Sequence, residues 1–287
     1  MTALLSREVA LAPANPLGIE GIEFIEYTTP RPQALGQVLE TLGFRPVARH
    51  RSREVLRYAQ GDMNIIVNAH GLPPGSPEVP QIAAIALRVR DAGAAWQRTV
   101  DLGAWPVPVA VRPMELHIPG VHGAGASRLY FVDRWREFSI YDVDFVPIPT
   151  VQPAVPATAG LHWFGVVQYI GAGRSADWCE FYRALFGFAV LPADRRFGIL
   201  PAGDILASPC GSFFLQLVEP APDAEAAEDE YLQRVAFGTP QVGTAVAALR
   251  ARGVSFVEAR ELHTETHGAL TEPLLGGLMF ELVQHAR

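Results

Sequence analysis

The run Leu278-Met-Phe-Glu-Leu-Val-Gln284 near the end of the chain sets one carboxylate, Glu281, among apolar neighbours. If its side chain points inward it must be paired or neutralised, because an isolated buried charge is too costly to keep. Other residues with chemical potential are sparse. His263 and His267 lie four apart with Glu265 between them, a spacing that on a helix would put both imidazoles on one face, as zinc sites use. The segment is short, threonine-rich and followed by Gly268, so a solvated loop is the plainer expectation. His117 and His122 flank Pro119-Gly120, which reads as a turn. Cys179 and Cys210 stand in no metal, redox or nucleophile spacing, which suits reduced thiols in a cytoplasmic protein. Gly171-Ala172-Gly173 lacks the Lys-Ser/Thr of a phosphate loop and reads as a turn before a helix, and no Gly-x-Ser-x-Gly elbow is present.

These residues must be positioned by a repeated pattern. Gly21 to Tyr27 alternates like a half-buried strand. Leu35, Val38, Leu39 and Leu42 then fall at helical spacing, with Pro30 and Pro32 at the entry and Gly43 at the end. Strands over Val55–Tyr58 and Met63–Asn68 follow. The grammar returns as Leu161–Tyr169, a helix with Trp178, Phe181, Tyr182 and Leu185, and Gly187-Phe188 echoing Gly43-Phe44. Shorter versions begin at Ile82–Val89, whose helix ends near Leu102-Gly103, and at Val235–Gly238, whose helix ends near Gly253. Four strand–helix–strand–strand units are therefore expected. The fold class is α+β: two domains, each a pair of βαβββ modules forming a curved mixed sheet around a pocket. The expected divisions are a tail over 1–18, a first domain over 19–146, a proline-rich linker over 147–160 and a second domain over 161–287. At 287 residues each half is large enough to bury a core of its own.

Composition narrows the partners. A formal net charge of −7 without a basic stripe argues against a nucleic-acid or anionic-membrane surface. The amino terminus lacks the apolar core of a signal peptide, and no apolar run is long enough for a membrane span. A small-molecule ligand and a homo-oligomer are the expected partners, with the first domain as scaffold and dimer surface.

Gly21–Tyr27, Ala48–Val55, Gln60–Ile66 with Asn68-Ala69, and Leu129–Asp133 in the first half, with Phe181–Phe188, Gln233–Phe237, Leu249–Val254 and Phe280–Gln284 in the second, form a set of stretches with a known counterpart. Together they resemble 4-hydroxyphenylpyruvate dioxygenase-like proteins of the vicinal oxygen chelate superfamily. The first half is also similar to the dioxygenase-like domain that follows a barrel in some bacterial 3-dehydroshikimate dehydratases. The resemblance implies Fe(II), or another divalent metal, held by two histidines and a glutamate, with open positions for an α-keto acid and oxygen. His162 matches the first ligand and Glu281 the carboxylate. Alone, His162 would read as a hydrogen-bonded core or rim histidine.

The second ligand position, after Gln233, holds Arg234, whose guanidinium has no lone pair for a metal. A contact between Arg234 and Glu281 in the place of the metal is expected instead. The family's Ser-Pro-x-Gly turn is kept as Ser208–Gly211, but the following strand carries Gln216 and Val218 where the family has Pro and Asn. Arg287 stands just past Glu281, so the family's closing helix has no counterpart in the sequence, which implies a pocket open to water. Three readings follow: a metal-dependent oxygenase using His162, Glu281 and a further ligand; a metal-free binder holding a small aromatic or α-keto acid with Arg234 and Gln216; and a lyase or dehydratase acting on a shikimate-type acid.

Overall fold

The computed structural model describes residues 14–108, 115–152, 154–195, 198, 203–221, 229–258 and 268–286. His263, His267 and Glu265 lie outside the described residues, as does most of the expected tail.

The first unit is β1 (Gly21–Thr28), α1 (Pro32–Thr41), β2 (Arg45–His50), β3 (Val55–Gln60) and β4 (Met63–Asn68). The second is β5 (Gln81–Arg88), α2 (Ala92–Asp101), β6 (Gly120–His122) and β7 (Arg128–Val132), after which α3 (Tyr141–Asp144) and β8 (Phe145–Pro147) close the first half. The third is β9 (His162–Tyr169), α4 (Ser175–Phe181), β10 (Ala189–Val190), β11 (Asp204–Ala207) and β12 (Phe214–Val218). The fourth is β13 (Tyr231–Thr239), α5 (Val242–Arg250), β14 (Ala269–Leu270) and β15 (Phe280–Gln284). The α+β architecture is thus present, its paired units joined in one continuous curved sheet.

Local chemistry explains why the units repeat. Each unit's helical segment is followed closely by a glycine at positive φ: Gly43, Gly103, Gly187 and Gly253. That conformation lets the chain turn off the helix end and return to the sheet without a Cβ penalty. Asp91 caps α2 by accepting from the Ala94 N–H at 2.8 Å, and Pro32 begins α1 where its missing N–H costs nothing. In the third unit the expected helix changes pitch, and Tyr182–Phe186 forms a π-helical turn. This turn buries Tyr182, Leu185 and Phe186.

The modules pair through their first strands. β1 runs antiparallel to β5 and β9 antiparallel to β13, while β4, β7, β12 and β15 join parallel to β1, β5, β9 and β13. The two halves join into one sheet through one register pair, Leu232 of β13 with Ile82 of β5. Among the described residues, the second and fourth units reduce one trailing strand to a bridge, Pro106 with Val121 and Phe256 with Thr271. Strand Arg45–His50 adds to the pattern and lies one strand in from the edge, pairing with β3 on one side and with the edge strand β8 on the other.

The proline-rich stretch is tied to the first half: Gly61 N–H donates to Val155 O and Thr158 N–H to Gln60 Oε1, both at 2.7 Å. One apolar cluster runs through both halves, with Phe44 against Phe237 at 5.9 Å, Tyr27 against Phe280 at 6.4 Å and Phe131 against Phe186 at 6.1 Å between ring centroids. No helix among the described residues is long and apolar enough to cross a membrane.

Candidate functional site

Strand alternation separates the two faces of the sheet in the second half. Trp163, Phe237, Phe280 and Leu282 point into the shared core, whereas Phe164, Ala236 and Val283 form a smaller cluster on the opposite face with Phe214. Glu281 lies between Phe280 and Leu282 and so belongs to that opposite face. A register shift between Ala236 and Phe237 against β9 accommodates both Trp163 and Phe164, sending one ring to each side.

The face is organised in rows. Gln216 and Arg234 are both in register with Val167, from opposite sides. The next row is Phe214, Gly165, Ala236 and Glu281, and the next sets His162 against Gly238 and Gly238 against Val283. Small residues occupy the centre, Gly165, Ala236 and Gly238, and the His162 ring lies over Gly238, where a β-carbon would collide with it. Two strand spacings put the backbones of Gln216 and Arg234 roughly 10 Å apart, a span suited to a small acid.

The structure brings Arg234 and Glu281 together. Arg234 Nε lies 3.2 Å from Glu281 Oε2, and the two residues are 7% and 0% exposed. Among the described residues this is the one hydrogen bond the guanidinium makes. Gly198, at φ +65°, crosses over the same carboxylate so closely that a β-carbon there would collide with Oε1. His162 is buried beside them, with Nδ1 3.0 Å from Gly160 O and Nε2 3.0 Å from His285 Nδ1. The carbonyl can only accept, so Nδ1 carries the proton, and Nε2 faces His285. The His285 ring also packs edge-on against Phe164 and Phe214, at 5.3 and 6.4 Å.

As an iron centre this donor set does not fit. Of the three ligand positions that the resemblance implies, one is a guanidinium, the carboxylate is already bonded to it, and the imidazole nitrogen is turned to His285. Among the described residues no three His, Cys, Asp or Glu side chains gather to hold a metal.

Sequence reasoning missed His285 and Gly198. His285 stands four residues after Glu281 on the same strand line, and the even spacing was a usable signal for a shared face. Gly198 carried none, since only the tertiary fold brings it over Glu281. In the first half, Glu23 and Glu26 of β1 are drawn into ion pairs. Both are buried, Glu23 paired with Arg88 at 2.6 Å and Glu26 with Arg128 at 3.3 Å. His122 ends strand β6 rather than shaping a turn, and His117 borders a cavity of that half.

Paired strand–helix–strand modules joined through their first strands and packed on a shared core define the architecture of the vicinal oxygen chelate proteins. Residues 14–146 match the family described as hydroxyphenylpyruvate dioxygenase, HPPD, N-terminal, and residues 160–282 match the glyoxalase/bleomycin resistance protein/dioxygenase superfamily. The chain is 39% identical over 180 residues to a 4-hydroxyphenylpyruvate dioxygenase of Pseudomonas sp. (strain P.J. 874), covering 61% of this chain and 50% of that protein. It is 32% identical over 270 residues to the 4-hydroxyphenylpyruvate dioxygenase of Pseudomonas aeruginosa, covering 88% and 75%. A 3-dehydroshikimate dehydratase of the same species is 33% identical over 259 residues, but the match spans only 40% of it, against 83% of this chain. Among solved structures, a xylose isomerase-like TIM barrel/4-hydroxyphenylpyruvate dioxygenase fusion protein superposes with a TM-score of 0.74 at 25% identity, over 97% of this chain and 51% of its own. The chain belongs to the 4-hydroxyphenylpyruvate dioxygenase-like family.

Proposed function

We propose that this family member binds a small aromatic or α-keto carboxylic acid on the Arg234 face of its second half without a metal, with Arg234 as the anchor. The domain over 161–287 carries this site, and the one over 19–146 is joined to it by the segment 147–160. The observation that supports the reading is the Arg234–Glu281 pair at two of the family's three ligand positions. A guanidinium offers five N–H groups in a planar fork, and Glu281 engages Nε. The terminal amino groups suit a bidentate bond to a carboxylate. Phe164 and Phe214 offer an aromatic wall in the neighbouring row, and Gln216 lies across the face as a second polar contact. His162, held in one tautomer by Gly160 O, would orient rather than bind a cation.

Isothermal titration with phenylpyruvate and 4-hydroxyphenylpyruvate tests this, run with and without chelator. The expected result is binding that chelator leaves unchanged and that falls about ten- to a hundredfold in Arg234→Lys, which keeps the charge and loses the fork. Binding that requires Fe(II), or that Arg234→Lys leaves intact, would refute it. Including 3-dehydroshikimate, with protocatechuate formation monitored, tests the dehydratase reading in the same series. That reading has less support, because the shared region is a minority of the dehydratase chain.

A further inference from the structure

The first half contains a cavity of about 290 Å³ on the face of its sheet away from the shared core. Its floor repeats the geometry of the second half. Phe24, Ala86 and Tyr130 lie in one register row and Glu26, Ala84 and Arg128 in the next. The same pairing relates Gly165, Ala236 and Glu281, so Tyr130 occupies on β7 the place that Glu281 occupies on β15. Alanine stands at the central position of both rows, and the flanking Phe24, Glu26, Arg128 and Tyr130 line the cavity. The volume is at the lower end of small-molecule sites and suits a single-ring ligand.

The walls divide by chemistry. Phe24 and Tyr130 lie 6.4 Å apart between centroids, and Tyr141 meets Phe145 edge-on at 5.6 Å, giving an aromatic side. At the other side Glu26 Oε1 accepts from Asn68 Nδ2 at 2.9 Å and from Arg128 Nη2 at 3.3 Å. Charges there are balanced: Arg128 answers Glu26, Arg53 answers Glu115, and Arg51, 3.6 Å from Asp144, answers the third carboxylate. His50 adds none near neutral pH, since burial outweighs Asp144 and Glu115 and lowers its pKa.

That balance selects the ligand. A simple anion would draw Arg128 from Glu26 and leave a buried carboxylate with only Asn68; a simple cation would do the converse to Arg128. A ligand carrying both signs at one end can insert into the long Glu26–Arg128 contact and satisfy each partner. We propose that the first half is a second binding site that takes a single-ring aromatic zwitterion, an aromatic α-amino acid, with its ammonium on Glu26, its carboxylate on Arg128 and its ring between Tyr130 and Tyr141.

Titration calorimetry of the full chain with L-phenylalanine tests this, with 3-phenylpropionate as the anionic control and phenethylamine as the cationic one. The expected result is that L-phenylalanine binds, and that Glu26→Gln and Arg128→Gln each weaken it about tenfold or more. Ala86→Val, which raises the floor, should weaken it as well, while Arg234→Lys leaves it unchanged. No heat with L-phenylalanine would overturn the proposal. So would either control binding as well as the zwitterion at a site sensitive to Glu26→Gln, or loss of L-phenylalanine binding in Arg234→Lys but not in Glu26→Gln. Thermal melts of each variant separate loss of the site from loss of the fold.

Discussion

Neutralising Glu281 alone should cost more than removing both charges of the Arg234–Glu281 pair. Glu281 is fully buried and Arg234 nearly so, with Nε and Oε2 3.2 Å apart. At an effective dielectric near 20, two charges about 4 Å apart attract by about 4 kcal/mol, an upper limit on what the partner supplies. Breaking a buried pair from one side typically costs about 3–5 kcal/mol, because the remaining charge is stranded. Glu281→Gln takes from the guanidinium the carboxylate of its one hydrogen bond among the described residues, whereas Arg234→Met removes one of the partners of Glu281. The double variant buries neither charge, so its loss should be smaller than that of Glu281→Gln, with a coupling of roughly 2–4 kcal/mol. For a cooperative unit of this size the Glu281→Gln loss corresponds to a fall in Tm of roughly 6–20 °C. Urea titration of the four proteins at neutral pH, with m-values compared, gives the cycle directly. A Glu281→Gln variant within about 1 kcal/mol of the parent, or additive losses in the double, would refute the view that this pair replaces a metal as the organiser of the site.

Other outcomes follow from the same geometry. Arg234→His restores two histidines and a glutamate at the three ligand positions, so Co(II) titration should give a visible-band complex in the variant and none in the parent. Tyr182→Phe leaves Gln168 Oε1, now bonded at 2.9 Å, without a donor in the core, and should cost about 1–3 kcal/mol in chemical denaturation. Phe237→Ala removes the ring stacked on Trp163 at 5.7 Å and Phe280 at 5.7 Å and should cost about 3–5 kcal/mol. The first half should soften in the same melt, since Phe44 packs on that ring. His50 has a folded-state pKa below its ordinary 6.5, first through burial. Its neutral form is the one folding favours, so its contribution is present above about pH 6.5 and is lost as pH falls toward the lowered value. His50→Asn should therefore show a shallower loss of stability below that pH.

Much of this molecule was legible in one dimension. Helical spacing ending in glycine, followed by strand alternation, appears four times, and those two periods depend only on local backbone geometry. The identity of Arg234 removed one ligand of the implied triad before any coordinate was known, because a guanidinium has no lone pair in any fold. The apolar neighbours of Glu281 likewise demanded a partner. Tertiary structure decided what local pattern could not carry. Whether Glu23 and Glu26 are solvated or paired depends on Arg88 and Arg128, which lie 65 and 102 residues away in sequence. The cavity in the first half is lined by Phe24, Glu26, Arg128 and Tyr130, which strand pairing brings into neighbouring rows. The placing of Gly198 over Glu281, and of one core across both halves, depends on packing between distant elements. Sequence fixes which groups can do chemistry; only the closed sheet determines which of them share a face, because that choice rests on contacts between segments far apart along the chain.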